Sequence, residues 1–428
     1  MEATIPTQAP TIQTVTAVDF PAPKVEQLSN GVEVYIIDAP VPDIVRVEAI
    51  FRSGRRFESA PGVAAATAKL MKEGTSSMTS AQIASEIEKL GATVKTTAGF
   101  DFGTLSVYGM NRTLEDLLPL TNGLMQEATF PEDELGTYVR NTKQRIKIKE
   151  EKVDYLADTS LRKALYGATH PYGYTTNTEI LDGLSRTQLE QHYKDTYQAG
   201  DLMIVVSGRV DDRVMSFLEA AFGREKRKGT TSDPWTEPSG SKEKFIHQVK
   251  EGSVQSAIRF ARPLMAKTHP DYMEFFVLNI LFGGYFGSRL MANIREDKGY
   301  TYGIYSGMGH MDKASHLYIS SEVGIDVCKP ALHEVREEMR RLREEPIPAE
   351  EMDLVRNYLT GSILGSIDGP FAIANTVKGI LTGGLEMNHV PQLVDTIQKV
   401  SAVRLQELAN TYLTDDITEL VVGWPDES

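Results

Sequence analysis

The chain has 428 residues, with 45 basic side chains against 59 acidic, for a net charge of −14. That length exceeds one ordinary core, so two domains are expected, and the 41% hydrophobic, 24% charged composition excludes a disordered chain. The acidic balance reads as a solvated surface and leaves no electrostatic footprint for nucleic acid. A single cysteine, Cys328, rules out an internal disulfide or a cysteine-based zinc site; in its strand-like run VGIDVCKP it reads as a small buried hydrophobe. No apolar run approaches the ~18 residues that span a bilayer, so no transmembrane segment is expected.

Residues 1–22, rich in Thr, Pro and Gln, read as an extended tail. The tail lacks a charged region followed by an apolar core, so it is not an intact signal peptide. It fits what remains after a signal is removed; the compartment stays unassigned, with a periplasmic one favoured over a cytoplasmic one.

The first domain is expected over 23–223. VEVYIIDA and IVRVEAIFRSG read as strands, and Gly62–Thr75, GVAAATAKLMKEGT, as a helix closed by Gly74. The alternation in ATVKTTAGFDFGTLSVYGM predicts two more strands, followed by helices over TLEDLLPLTNGLMQEA and EDELGTYVRNTKQRIKIKEEK and a closing strand. Residues 224–244 have linker composition, and a second domain is expected over 245–428. It repeats the first: FPEDELGTYVRNTKQRI (130–146) has a counterpart in IPAEEMDLVRNYLTGSI (347–363), and LSRTQLEQHYKDTYQAGDLMIVVSG (184–208) in VSAVRLQELANTYLTDDITELVVGW (400–424). The spacing is about 216 residues in both cases, which points to a duplicated unit. The expected fold class is α+β: two homologous halves, each a mostly antiparallel or mixed sheet covered by helices on one face.

The framework from Leu28 to Thr75 resembles the start of pitrilysin-type zinc peptidases, the family of insulin-degrading enzyme and the mitochondrial processing peptidase. The resemblance rests on Ser29-Asn30-Gly31, Ser53-Gly54, Gly62 opening a helix and Gly74-Thr75 closing it. LYGATHPYG (165–173) and FGSRLMANIREDKGYTYGIYSG (286–307) extend it over nearly the whole chain after residue 23. Active members carry His-x-x-Glu-His on the first helix: positions i and i+4 share a face and bind one zinc, and the Glu serves as general base. A third ligand, a Glu, follows from a helix roughly 75 residues on.

Laid on this chain, the ligand positions are Ala65 and Lys69, the base position is Ala68, and the third ligand falls at Gln144 or its neighbour Arg145. Alanine has no lone pair to donate and an ammonium repels a dication. The resemblance therefore implies a chain that holds no zinc. None of the eight histidines pairs with another at i, i+3 or i, i+4, and His170 in the His-Pro-Tyr-Gly turn reads as structural. No Gly-x-Ser-x-Gly elbow is present, and Cys328 has no neighbouring helix start or histidine in sequence, so a serine or cysteine hydrolase has no support.

The second half keeps what the resemblance implies is an Arg/Tyr pair reaching the scissile carbonyl: Arg295 and Tyr302, with Gly299 between them to turn helix into strand. Gly283, Gly284 and Gly287 upstream read as a tight helix–helix turn. The expectation is a non-zinc-binding subunit of a heterodimeric zinc metalloendopeptidase acting on peptides. Zinc comes from a homologous partner, and Arg295 and Tyr302 polarise the carbonyl in trans. The alternative is a non-catalytic scaffold of the same fold, as in respiratory-complex core subunits.

Overall fold

A computed structural model describes residues 18–41, 43–197, 200–223 and 229–423. The first half forms a six-stranded sheet from β1 (Lys24–Gln27), β2 (Glu33–Asp38), β3 (Ile44–Phe51), β4 (Thr93–Ala98), β5 (Gly103–Met110) and β6 (Met203–Gly208), in the order β1-β2-β6-β3-β5-β4. The second forms a five-stranded sheet from β7 (Phe245–Val249), β8 (Gln255–Leu264), β9 (Thr301–His310), β10 (Ser315–Gly324) and β11 (Thr418–Gly423), in the order β7-β11-β8-β10-β9. Leaving aside the edge strand β1, the two orders are the same. In each sheet one pair is parallel, β2 with β6 and β7 with β11, and the other neighbours run antiparallel.

The likeness extends to backbone detail. Gly208 and Gly423 end the equivalent strands with φ of +117° and +120°. A Cβ at Gly208 would meet the Ile44 carbonyl oxygen at 2.2 Å, and one at Gly423 the Gln255 carbonyl oxygen at 2.4 Å. Both positions therefore require glycine. The long helices Glu132–Glu150 and Ala349–Ser366 each start behind a proline, Pro131 and Pro348, and carry acids in the first turn, which suits the helix dipole.

Each sheet packs one face on its own half's helices, as the alternation predicts. Val34, Val47, Leu105 and Val206 meet Val63, Leu70 and Leu117; Phe260, Ile304 and Ile319 meet Leu278, Val335 and Leu405. The opposite face is covered by a helix from the other half, which the one-face expectation did not include. Ile373, Val377 and Ile380 of the helix Pro370–Thr382 pack on Tyr35, Ile37, Ile50 and Val205 of the first sheet. Ala157, Leu161 and Leu165 of the helix Val153–Tyr166 pack on Ala257, Ala261, Leu420 and Val422 of the second.

Charges tie these exchanged helices down. Arg259 on β8, 1% exposed, donates from Nε to Asp158 at 2.9 Å and from Nη2 to Asp154. Lys378 donates to Glu48 at 2.8 Å. A buried Arg56 joins three segments, contacting Asp101 of the first half, Asp233 of the connecting segment and Asp312 of the second half at 3.2, 3.4 and 2.7 Å.

The segment 229–244 is strapped to the first half: Ser239 and Ser241 donate backbone N–H groups to Tyr166 and Ala164, and Trp235 packs against His170 and Tyr172. Of the N-terminal tail, residues 1–17 lie outside the described residues, while Phe20 is buried against the first sheet. Cys328 is buried but not in a strand, and the absence of a helix start noted in its sequence is corrected. β10 ends at Gly324, and Cys328 opens the helix Cys328–Glu344. Among the described residues no helix is long and apolar enough to cross a membrane.

Candidate functional site

Two places correspond to the expected site residues. The first is the helix Val63–Leu70. Its entry is built carefully: Gly62 takes φ +95°, and Glu58 accepts the Gly62 and Ala64 N–H groups at 3.1 and 2.7 Å. The Tyr174 hydroxyl also donates to Glu58, and burial pushes this carboxyl up despite its three donors. Val63, Ala66 and Leu70 enter the core. Of the remaining positions, Ala65 and Lys69 are exposed and Ala68 is buried.

A cavity of about 390 Å³ opens between this helix and the helix Glu132–Glu150. It is lined by Lys69, Glu73, Glu134, Tyr138 and Arg145 among others, and Gln144 is not part of the lining. Of the two candidates for the third-ligand position, Arg145 is therefore the one that shares a cavity with Lys69. Its guanidinium donates to the Thr142 hydroxyl at 2.8 Å. The residues do not fit a zinc ion: one position offers a methyl group, and two offer cations. Among the described residues no group of three His, Cys, Asp or Glu side chains could hold a metal elsewhere. His170 is structural: its Nε2 lies 3.0 Å from the Thr236 carbonyl and its Nδ1 accepts the Tyr172 N–H at 3.1 Å.

The second place joins a helix end to the edge of the second sheet. Arg295 stands on a π-helical turn, Met291–Asp297, and Tyr302 near the start of β9. Gly299 between them has φ +66°, the left-handed turn expected of it. Both side chains line one cavity of about 620 Å³, together with Gln255, Glu296, Tyr300 and Glu322. Arg295 lies with its guanidinium carbon 4.5 Å from the centre of the Phe286 ring, and its nearest acid, Glu296, is 3.8 Å away. Tyr302 is 98% exposed.

A bulge aims that tyrosine. Thr301 pairs with Val323 and Ile304 with Ser321, so Tyr302 and Gly303 stand opposite Glu322 alone. The Thr301 hydroxyl donates to the Glu322 carbonyl at 2.7 Å and accepts the Gly303 N–H at 3.1 Å, while the Ser321 hydroxyl donates to the Gly303 carbonyl at 2.9 Å. These bonds satisfy the irregular backbone, and bulges of this kind re-aim side chains beside functional sites. Upstream, helical segments flank the turn at residues 285–288, as the glycines predict, and Phe286 projects from it, 61% exposed.

The family model described as "Insulinase (Peptidase family M16)" matches residues 33–178, and that described as "Peptidase M16 inactive domain" matches residues 183–359. The chain belongs to peptidase family M16. An "uncharacterized zinc protease YmxG" of Bacillus subtilis is 23% identical over 392 residues, covering 90% of this chain and 95% of that protein. A "non-peptidase homolog YmxG" of Helicobacter pylori is 22% identical over 370 residues, covering 85% and 84%. A crystal structure titled as a peptidase M16 inactive domain from Pseudomonas fluorescens has the same fold, with a TM-score of 0.85 at 23% identity over 94% of this chain and 98% of that one.

Within this M16 chain the helix Val63–Leu70 has a built cap, a core face and a place beside the long helix, and Ala65, Ala68 and Lys69 offer no metal ligand. The chain is thus of the family's inactive type, a pseudoenzyme with respect to its own zinc site. Of the positions expected from the sequence, the structure brings Arg295 and Tyr302 to one cavity and sets Lys69 and Arg145 at another. Sequence reasoning missed Phe286, the Thr301–Ser321 bulge and the Glu58 cap. Only the last left a signal, an acid four residues before a helix-opening glycine.

Proposed function

We propose that this chain is the zinc-free subunit of a heterodimeric M16 endopeptidase. A homologous partner supplies zinc, its ligands and the general base. Arg295 and Tyr302 supply donors to the carbonyl oxygen of a peptide held between the two chains. The observation that carries this reading is an asymmetry. All four roles of the zinc motif are missing, with two cations among the replacements, whereas Arg295 and Tyr302 keep their spacing and share one cavity.

The chemistry supports it. A guanidinium and a phenol are both hydrogen-bond donors. A donor aimed at a developing oxyanion lowers the barrier by about 3–4 kcal/mol. A phenol 98% exposed is free to reach a group brought by another chain. Peptide hydrolysis is assayed with this chain alone, with an M16 homologue bearing His-x-x-Glu-His from the same organism, and with both. Activity confined to the mixture supports the proposal. If no such homologue associates and the chain pairs with itself, the non-catalytic scaffold takes its place.

A further inference from the structure

A group of polar atoms that neither candidate site uses lies where the two halves meet, at the far end of β9 from Tyr302. A cavity of about 460 Å³ there is bounded by the loop after β8, the β9–β10 turn, the end of the helix Pro370–Thr382 and Phe102 of the first half. Lys267 enters it from the loop, its stem 3.4 Å from where a Cβ on Gly383 would stand. Among the described residues Lys267 makes no hydrogen bond or ion pair, and burial pulls its ammonium below the usual lysine range.

His310 stands beside it. Its Nδ1 lies 2.8 Å from the Ser315 hydroxyl, and its Nε2 is buried with no partner. Burial first, then the Lys267 and His316 charges, hold the imidazole neutral, with a pKa pulled down to about 4. In one tautomer Nδ1–H donates to the Ser315 oxygen; in the other the Ser315 hydroxyl donates to Nδ1 and the single imidazole proton sits on Nε2. Lys267 and the Nε2–H are then two donors without acceptors, and the exposed Thr268 hydroxyl lines the same cavity.

The acids at this cavity are already taken. Asp101 accepts from Tyr172 and from the Asp312 N–H, and contacts Arg56. Asp312 pairs with Arg56 and Arg52, and the other cation, Lys313, pairs with Asp233. A half-buried ammonium without a counter-ion and a buried N–H without an acceptor are each unfavourable, and one carboxylate relieves both.

We infer that the cavity between Lys267, His310 and Gly383 is a binding site for a carboxylate, held by the Lys267 ammonium and the His310 Nε2–H. An acid bound there contacts the β9–β10 turn and the end of the helix that covers the first sheet, and so braces the two halves. The inference does not depend on a zinc-bearing partner.

Calorimetric titration of the full chain tests it, with N-acetylglycine, trialanine as free acid, the amide of each, and inorganic phosphate as probes. The free acids are expected to bind and the amides not. Lys267→Met, which keeps the apolar stem, is expected to weaken binding at least tenfold, with circular dichroism confirming that it folds. In the unsubstituted chain the His310 ring signals in a histidine-selective NMR spectrum are expected to shift on saturation. Binding of trialanine alone assigns the carboxylate to a peptide terminus, and binding of both acids to any small acid; either outcome supports the site. No binding, equal binding of the amides, tighter binding of phosphate, or an undiminished response in Lys267→Met overturns it.

Discussion

Arg295 and Tyr302 are seven residues apart, on a π-helical turn and an edge strand, and they face one cavity because Gly299 turns the chain left-handed between them. A β-bulge then holds the tyrosine out. The local irregularity of the second half is concentrated where the donors are, and its regular elements serve packing.

The first prediction concerns that turn. Gly299→Ala places a Cβ at φ +66°, at a cost of about 1–2 kcal/mol. No atom lies within 4 Å of that Cβ, so backbone strain alone is expected. Thr301→Val removes four hydroxyl contacts inside the bulge. With the zinc-bearing partner, both variants are expected to lower kcat more than they raise KM, with thermal unfolding reporting the stability loss separately.

The second prediction concerns the emptied metal site. Elemental analysis of the purified chain is expected to find no stoichiometric zinc. Ala65→His, Ala68→Glu and Lys69→His together are expected to restore tight zinc binding when combined with Arg145→Glu. Combined with Gln144→Glu instead, they are not, because Arg145 shares the cavity with Lys69 and Gln144 does not. Equal zinc affinity of the two quadruple variants contradicts this placement.

A third prediction separates the two sides of a buried ion cluster. Asp154→Asn with Asp158→Asn leaves the Arg259 guanidinium buried without a counter-charge, and is expected to cost about 3 kcal/mol or more. Arg259→Met removes the charge itself and leaves two half-exposed acids, so it is expected to cost less. Urea denaturation of both variants checks the order.

The fourth prediction is a pH dependence. His316 Nδ1 lies 2.8 Å from the Tyr166 hydroxyl oxygen, and burial, then the Arg162 charge, pulls its pKa down to about 4. Its value in the unfolded chain is about 6.5. Between these values the unfolded state binds the proton and the folded state does not, so stability rises with pH across that window and is lost as pH falls through it. The contribution is on the order of 1–3 kcal/mol. Urea denaturation at pH 7.5 and pH 5 is expected to show the loss in the parent chain, with a smaller loss in His316→Gln.

Much of this was legible in the sequence. The alternation that marks β4 and β5 and the proline and acids that open the helices at 132 and 349 are local signals that the fold obeys. The exchanged helices were not legible: Ile373, Val377 and Ile380 say that a face is buried, but not that it lies on the other half's sheet. Cys328 is buried as its composition suggests, but VGIDVC also has strand-like composition, and only the end of β10 at Gly324 shows that the strand stops before it. The one-residue ambiguity between Gln144 and Arg145 persists in any degenerate motif, since no ligand marks the register. The helical phase puts Arg145, and not Gln144, at the cavity that Lys69 lines.

The central claim is that this chain contributes transition-state donors to a partner's metal site. Its most direct test is kcat/KM for peptide hydrolysis by the reconstituted pair, comparing the parent chain with Arg295→Ala, Tyr302→Phe and the double variant. Zinc content and complex stoichiometry are held constant across the set. Each single variant is expected to lose about 10²–10³-fold, mostly in kcat, the size found for one oxyanion donor. Full activity in the pair carrying the double variant would contradict the account.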